Sequence, residues 1–181
     1  LANRIIVKTP DPFINTIGGA LSVASDAVWE SPSYMHGSIG WRMRLPGWRG
    51  AYTADALGWH ERAQKHFNAY ASSQFTTPLT GAVIADTAMH LSRSTEKNGI
   101  GMFTSGYISR LPNAGFMKPH HYDMNLVFVD ELIRHFEWTG DTAFMRATWP
   151  LIKRHLDWEV RNFDADKNNL FDAYAAIWAS D

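Results

Sequence analysis

Cysteine is absent from the 181 residues of this chain, so neither a disulfide nor thiolate chemistry is open to it. No apolar run approaches the roughly 20 residues that a membrane-spanning helix needs. Neither sign of charge is in excess. Lys and Arg number 17 against 18 Asp and Glu, a formal net charge of -1. That balance leaves no electrostatic footprint for nucleic acid or for an anionic membrane surface. A Gly-rich phosphate loop, a zinc-ligand pattern and a Gly-x-Ser-x-Gly elbow are all missing, so nucleotide and serine-hydrolase chemistry find no support. The opening residues, Leu1 to Lys8, carry neither a starting Met nor the pattern of a signal peptide. The closing residues, Ile177 to Asp181, stop without a helix end or a polar tail. The chain therefore reads as a piece of a longer protein. A periplasmic or extracellular setting in a bacterium is expected, and the absence of cysteine suits the cytoplasm equally.

What is present is an ordinary globular composition, 45% hydrophobic and 19% charged, long enough for one domain with a sizeable core. Eight Trp is high for this length. Indoles fill large cores, and they also line grooves for ring-shaped ligands. The most informative run is Leu45-Pro46-Gly47-Trp48-Arg49-Gly50-Ala51-Tyr52, which opens into a helical stretch from Thr53 to Tyr70. A rigid turn there delivers an indole, a guanidinium and, a turn and a half later, the carboxylate of Asp55 to one helix entrance. Indole faces stack on sugar rings, and Arg and Asp grip hydroxyls. Trp48, Arg49 and Asp55 thus suggest a carbohydrate site, with Arg42 and Arg44 beside Trp41 as further groove residues or as an exposed charged edge.

Periodicity outlines four helices. Ile5-Ile6-Val7 reads as a short strand or an extended lead-in, and Asp11-Pro12 as a helix start. Phe13, Ile17, Leu21, Ala24 and Val28 then describe an amphipathic helix ending near Trp29. The Gly18-Gly19 pair inside it is tolerable if another backbone packs close. Residues 31–50 read as a loop. The second helix places Ala56, Trp59, Ala63, His66, Phe67 and Tyr70 on one face. Ile84 to Arg93 suits a short helix, and 99–115 a long excursion with short strands, too aromatic for disorder. Leu126, Val129, Ile133 and Phe136 mark the third helix, ended by Thr139-Gly140-Asp141. Asp141 caps a fourth helix to about Phe163, with Trp149, Ile152, Leu156 and Val160 as its stripe and a kink or restart expected at Pro150. The tight turn makes these two helices antiparallel neighbours. The pairs form a weak repeat of helical hairpins, each with too little core to stand alone.

Phe136-Glu137-Trp138-Thr139-Gly140-Asp141, then Phe144-Met145, then Trp149-Pro150-Leu151-Ile152-Lys153-Arg154, resembles the helical hairpin of the six-hairpin glycosidases, in particular bacterial α-L-rhamnosidase-like members. Asp164 to Phe171 occupies the place of their D-x-D-G-L turn. Trp178-Ala179-Ser180-Asp181 sits where several of them bring an acidic residue into a central cavity. The resemblance covers about residues 45–181. It implies a mainly α fold of antiparallel helical hairpins, with residues 1–181 as part of an (α/α)6 toroid catalytic domain. The remainder of the same protein or a partner chain would complete the ring. It further implies a glycoside hydrolase acting on an oligosaccharide or polysaccharide, inverting, with no cofactor and no metal.

Such hydrolysis needs a proton donor near the leaving oxygen and a second carboxylate as base or nucleophile. Asp181 is the first candidate for the acid, the alternative being an N-cap for a following helix. Glu30 is the second. A carboxylate at a helix C-terminus faces unfavourable dipole charge, which would raise its pKa as a donor requires; a solvated end residue is the alternative. Asp55, in a first helical turn where the dipole favours the anion, suits hydroxyl binding or a simple cap. In Pro119-His120-His121-Tyr122-Asp123, the residues His120, His121, Tyr122 and Asp123 suit sugar hydroxyls, with Asp123 as a plain N-cap the competing reading. A zinc site would need a third ligand at helical spacing. Trp178 joins the substrate-binding set. Asp164, Asp166 and Asn168 echo a calcium loop but lack its Gly and its final acid, and a polar turn is expected. Two further classes compete with the hydrolase: a non-catalytic glycan-binding or scaffold module, and a polysaccharide lyase using a Tyr or His base.

Overall fold

The computed structural model describes residues 1–172, apart from 38, 41, 86, 89–94, 113, 114, 116 and 121. A 3-10 turn at Ile14–Thr16 leads into α1 (Ile17–Ala27), followed by β1 (Trp29–Glu30), β2 (Ser33–His36) and β3 (Met43–Arg44). Four more helices follow: α2 (Gly50–Ala56), α3 (His60–Ala71), α4 (Asp123–Thr139) and α5 (Thr142–Phe163). The strands form one antiparallel sheet in the order β1-β2-β3. Trp29 lies opposite Tyr34, Glu30 opposite Ser33, Met35 opposite Arg44 and His36 opposite Met43.

Among the described residues the fold is thus α/β in type, five α-helices with a three-stranded antiparallel sheet, and this corrects the mainly α toroid. The described helices do not trace a clear ring of hairpins. The sheet falls in the segment read as helix end and loop. Its strands are two to four residues long, too short for an alternating pattern to register.

The second helix is also two. Gly58, at φ 69°, stops α2, and α3 begins two residues later. That left-handed backbone suits glycine and interrupts the helical ladder. Ala63, His66, Phe67 and Tyr70 are buried as the periodicity implied, while Ala56 is exposed. In α1 the buried face is Gly18, Ser22 and Ser25, and Phe13, Ile17 and Leu21 are exposed instead of packed. The small residues let the N-terminal segment lie across the helix. A side chain at Gly18 would come within 2.5 Å of the Ile5 carbonyl oxygen. This close approach accounts for the Gly pair, and residues 5–7 form no strand, with a bend at Ile5.

Helix α4 ends at Gly140, φ 63°, as expected, and Asp141 caps α5 by accepting from the Ala143 and Phe144 amides at 3.0 and 2.9 Å. Helix α5 runs through Pro150 without a restart. Its buried face turns on Leu151, Ile152, His155, Trp158 and Phe163, whereas Trp149, Leu156 and Val160 are exposed. Leu126 and Ile133 of α4 are likewise exposed, and Phe128, Val129 and Leu132 are buried.

The main core joins Tyr34, Phe67, Tyr70, Phe128, Leu132 and Ile152, drawn from the sheet and from α3, α4 and α5. A second cluster, Phe75, Phe103, Tyr107, Trp158 and Phe163, fixes the long excursion after α3 onto α5. Buried Gln74 ties them together. Its amide donates to the carbonyls of Gly106 and Leu151 at 3.1 and 3.0 Å, and its oxygen accepts from Arg154. Asn125 of α4 holds the Ile108 backbone with a reciprocal pair of bonds. Residues 84 and 85, the described start of the expected helix at 84–93, are not helical; 86 and 89–94 of it lie outside the described residues.

Candidate functional site

The turn before α2 is fixed from three sides. His66 lies fully buried in α3, its Nδ1 accepting from the Tyr34 amide at 3.1 Å and its Nε2–H donating to the Pro46 carbonyl at 2.9 Å. Both ring nitrogens are thereby committed in the neutral form, and burial lowers the imidazole pKa to about 4. Gly47 lies against α4, where a Cβ would come within 2.2 Å of the Met124 carbonyl oxygen. Gly50 seats the start of α2 on the Tyr34 ring. What emerges is Trp48, half-buried with its ring edge-on to His36 at 3.9 Å, and exposed Arg49 with φ 59°.

Behind this turn, Glu131 of α4 is 1% exposed. The Arg49 amide is directed at it, yet neither carboxyl oxygen makes a hydrogen bond of normal geometry among the described residues. Burial pushes its pKa well above the usual carboxylate value. Next to it Asp130 accepts from the Tyr52 hydroxyl.

On the sheet, Glu30 stands in β1, outside any helix, with its side chain 47% exposed. Its Oε2 accepts from Arg42 at 2.7 Å and its Oε1 from Arg44 at 2.8 Å. The Arg42 hydrogen bond, with the charge of both guanidinium groups, lowers its pKa below the ordinary 4.5. The dipole argument from the sequence pointed the other way; with no helix end behind it, Glu30 is held ionised, which suits a base or nucleophile and not a proton donor. Alternation along β2 separates the groups further. Glu30, Ser33 and Arg44 share one face, and Trp29, Tyr34 and His36, hence Trp48, belong to the other.

Asp55 is not in a first helical turn but near the end of α2, and it is only 3% exposed. Its Oδ1 accepts from Nδ1 of His60 at 2.8 Å, and both its oxygens lie 2.9 Å from Nδ1 of His135. It therefore anchors two imidazoles, and its burial removes it from direct hydroxyl binding. Beside it, the Arg62 guanidinium lies 4.3 Å over the Trp59 ring and 5.6 Å from Trp29 while pairing with Asp26 at 2.8 Å. Short polypeptide spacing carried a signal here: Asp55 and His60 flank the Gly58 break, and Glu131 and His135 are one helical turn apart on α4. Without the break, however, Asp55 and His60 would sit on different faces of one helix.

The remaining candidates are scattered. His120 pairs its Nδ1 with Glu96 at 3.0 Å, and its backbone is clasped by the buried Tyr107 hydroxyl. Tyr122 stacks on Phe163 at 5.2 Å and is the N-cap residue of α4, so Asp123 is the first helical residue and not the cap. Asp164, Asp166 and Asn168 form a polar turn in which side-chain oxygens accept from nearby amides. Asp181, Trp178 and His121 lie outside the described residues. Among the described residues no group of three or more acidic or imidazole side chains is arranged to hold a metal ion. Nor is any described helix long and apolar enough to cross a membrane. No family model matches this chain, and no curated protein and no solved structure matches it.

Proposed function

We propose that this protein is a glycoside hydrolase in which Glu30 is the ionised carboxylate, acting as base or nucleophile. The carrying observation is Glu30 itself. It is open to solvent, yet paired with and held charged by Arg42 and Arg44 on a short sheet. Cleavage through an oxocarbenium-like transition state needs such a carboxylate opposite a proton donor. Asp181 keeps the role of donor in this proposal. Carbohydrate is then the partner, in a periplasmic, extracellular or cytoplasmic setting, and no resident cofactor is invoked.

The test is release of new reducing ends from a panel of oligosaccharides by the full-length protein and by Glu30→Gln. The substitution is expected to lower turnover by about 10²–10⁴-fold, the range of a lost acid–base or nucleophilic group. An unchanged melting temperature would show that the fold is intact. Unaltered turnover in Glu30→Gln removes Glu30 from the chemistry. Saturable oligosaccharide binding without product favours the glycan-binding module instead.

A further inference from the structure

A second chemical site lies apart from Glu30. His60 is the first residue of α3, its side chain 46% exposed, and it rests on a carboxylate that is itself 2% exposed. Carboxylate oxygens only accept, so the 2.8 Å contact obliges His60 to carry its proton on Nδ1. Nε2 is left as the basic atom, and it makes no hydrogen bond to any described residue. The carboxylate is fixed in turn by buried His135, which contacts both of its oxygens at 2.9 Å. Trp59, at the N-cap of α3, gives that helix no side-chain cap, and its carbonyl accepts from the Arg62 amide at 2.9 Å. A neutral imidazole oriented by a buried carboxylate is matched to taking a proton from water as it attacks an acyl carbonyl. Glycosidic cleavage asks for an anionic carboxylate instead.

We infer that His60 is a general base for hydrolysis of an ester, with Asp55 and His135 as its positioning residues. Water gives its proton to Nε2, and its oxygen bonds to the carbonyl carbon. The ester C–O bond breaks, the alcohol oxygen leaves with the electron pair, and it takes up the proton from Nε2 or from solvent. Throughout the step the Nδ1–H bond to Asp55 stabilises the imidazolium that forms. This inference is independent of the glycosidase proposal.

Two measurements on the intact protein test it. Nitrogen-detected histidine spectra read the tautomer directly, and the expected result is a proton on Nδ1 of His60. Hydrolysis of p-nitrophenyl acetate is expected to exceed that of free imidazole at equal concentration. It should fall at least tenfold in His60→Gln. In Asp55→Asn the rate should fall at least tenfold, with the His60 proton moving to Nε2. A wild-type His60 protonated on Nε2 overturns the inference without any variant having to fold, as does an unchanged ester rate in His60→Gln. Failure to cleave oligosaccharides would leave both readouts untouched.

Discussion

Single buried side chains set the pH response of this molecule, and two of them act in opposite directions. His66 is held neutral, with a folded pKa of about 4 against 6.5 in the unfolded chain. Between those values the unfolded chain binds the extra proton, so stability rises with pH there and is lost as pH falls from 6.5 towards 4. The shift corresponds to about 3 kcal/mol in all, of which about 2 kcal/mol should be gone at pH 5. Glu131 is held protonated, its folded pKa raised above 4.5 by burial. Its contribution is complete below 4.5 and is lost as pH rises through the raised folded value. Urea midpoints across pH 4 to 9 are therefore expected to pass through a maximum. Glu131→Gln should flatten the alkaline side and steepen the rise between pH 4.5 and 6.5, where the two contributions oppose each other. A decline on the acid side that vanished in Glu131→Gln, or persisted undiminished in His66→Gln, would contradict the assignment.

At the scale of elements, the contact of the turn with α4 decides whether the turn keeps its shape. Gly47 has no room for a methyl group, since the nearest atoms, the Met124 oxygen and the Phe128 nitrogen, are backbone of a helix that cannot step aside. Gly47→Ala should cost about 1–3 kcal/mol, the range for overpacking a close contact. It should also alter the near-ultraviolet signal of Trp48, the next residue, whose ring meets His36 edge-on. Urea denaturation with near-ultraviolet circular dichroism measures both. The element ends were largely legible beforehand. Gly140 and Asp141 announced the α4–α5 turn because stop and cap chemistry is local to a few residues. The helix faces were not. In α1 Phe13, Ile17 and Leu21 point outward, and of the α5 stripe only Ile152 is buried while Trp149, Leu156 and Val160 are exposed; the buried surfaces also use Ser22, Ser25, His155 and Glu159. Ser22 satisfies its hydroxyl on the Gly18 carbonyl of its own helix at 2.9 Å, and His155 faces Glu159 one turn on at 3.1 Å, so local pairing let these polar residues into the core where apolar spacing pointed to another face.

For the molecule as a whole, α5 spans both cores. Leu151 and Ile152 belong to one, Trp158 and Phe163 to the other. Trp158 is fully buried and donates its indole N–H to the Met102 carbonyl at 2.6 Å. Trp158→Ala should cost about 3–5 kcal/mol, as for other large-to-small core changes. Because one helix carries both clusters, far-ultraviolet signal and Trp fluorescence should lose their structure in a single coincident transition. Two separated transitions would mean that the clusters fold independently.

The amino-acid order alone settled what depends on near neighbours and on bulk composition: the ends of α4 and α5, the polar turn at 164–169, and the exclusion of thiol chemistry. It also flagged Trp48, Arg49 and Asp55 as one region. The tertiary structure decided the rest. It formed a sheet from strands too short to announce themselves, broke one expected helix at Gly58, turned Glu30 into an ionised carboxylate by bringing Arg42 and Arg44 to it, and paired Asp55 with His135 across 80 positions of chain. Protonation and orientation depend on what stands within a few ångströms, and folding, not sequence spacing, chooses those neighbours.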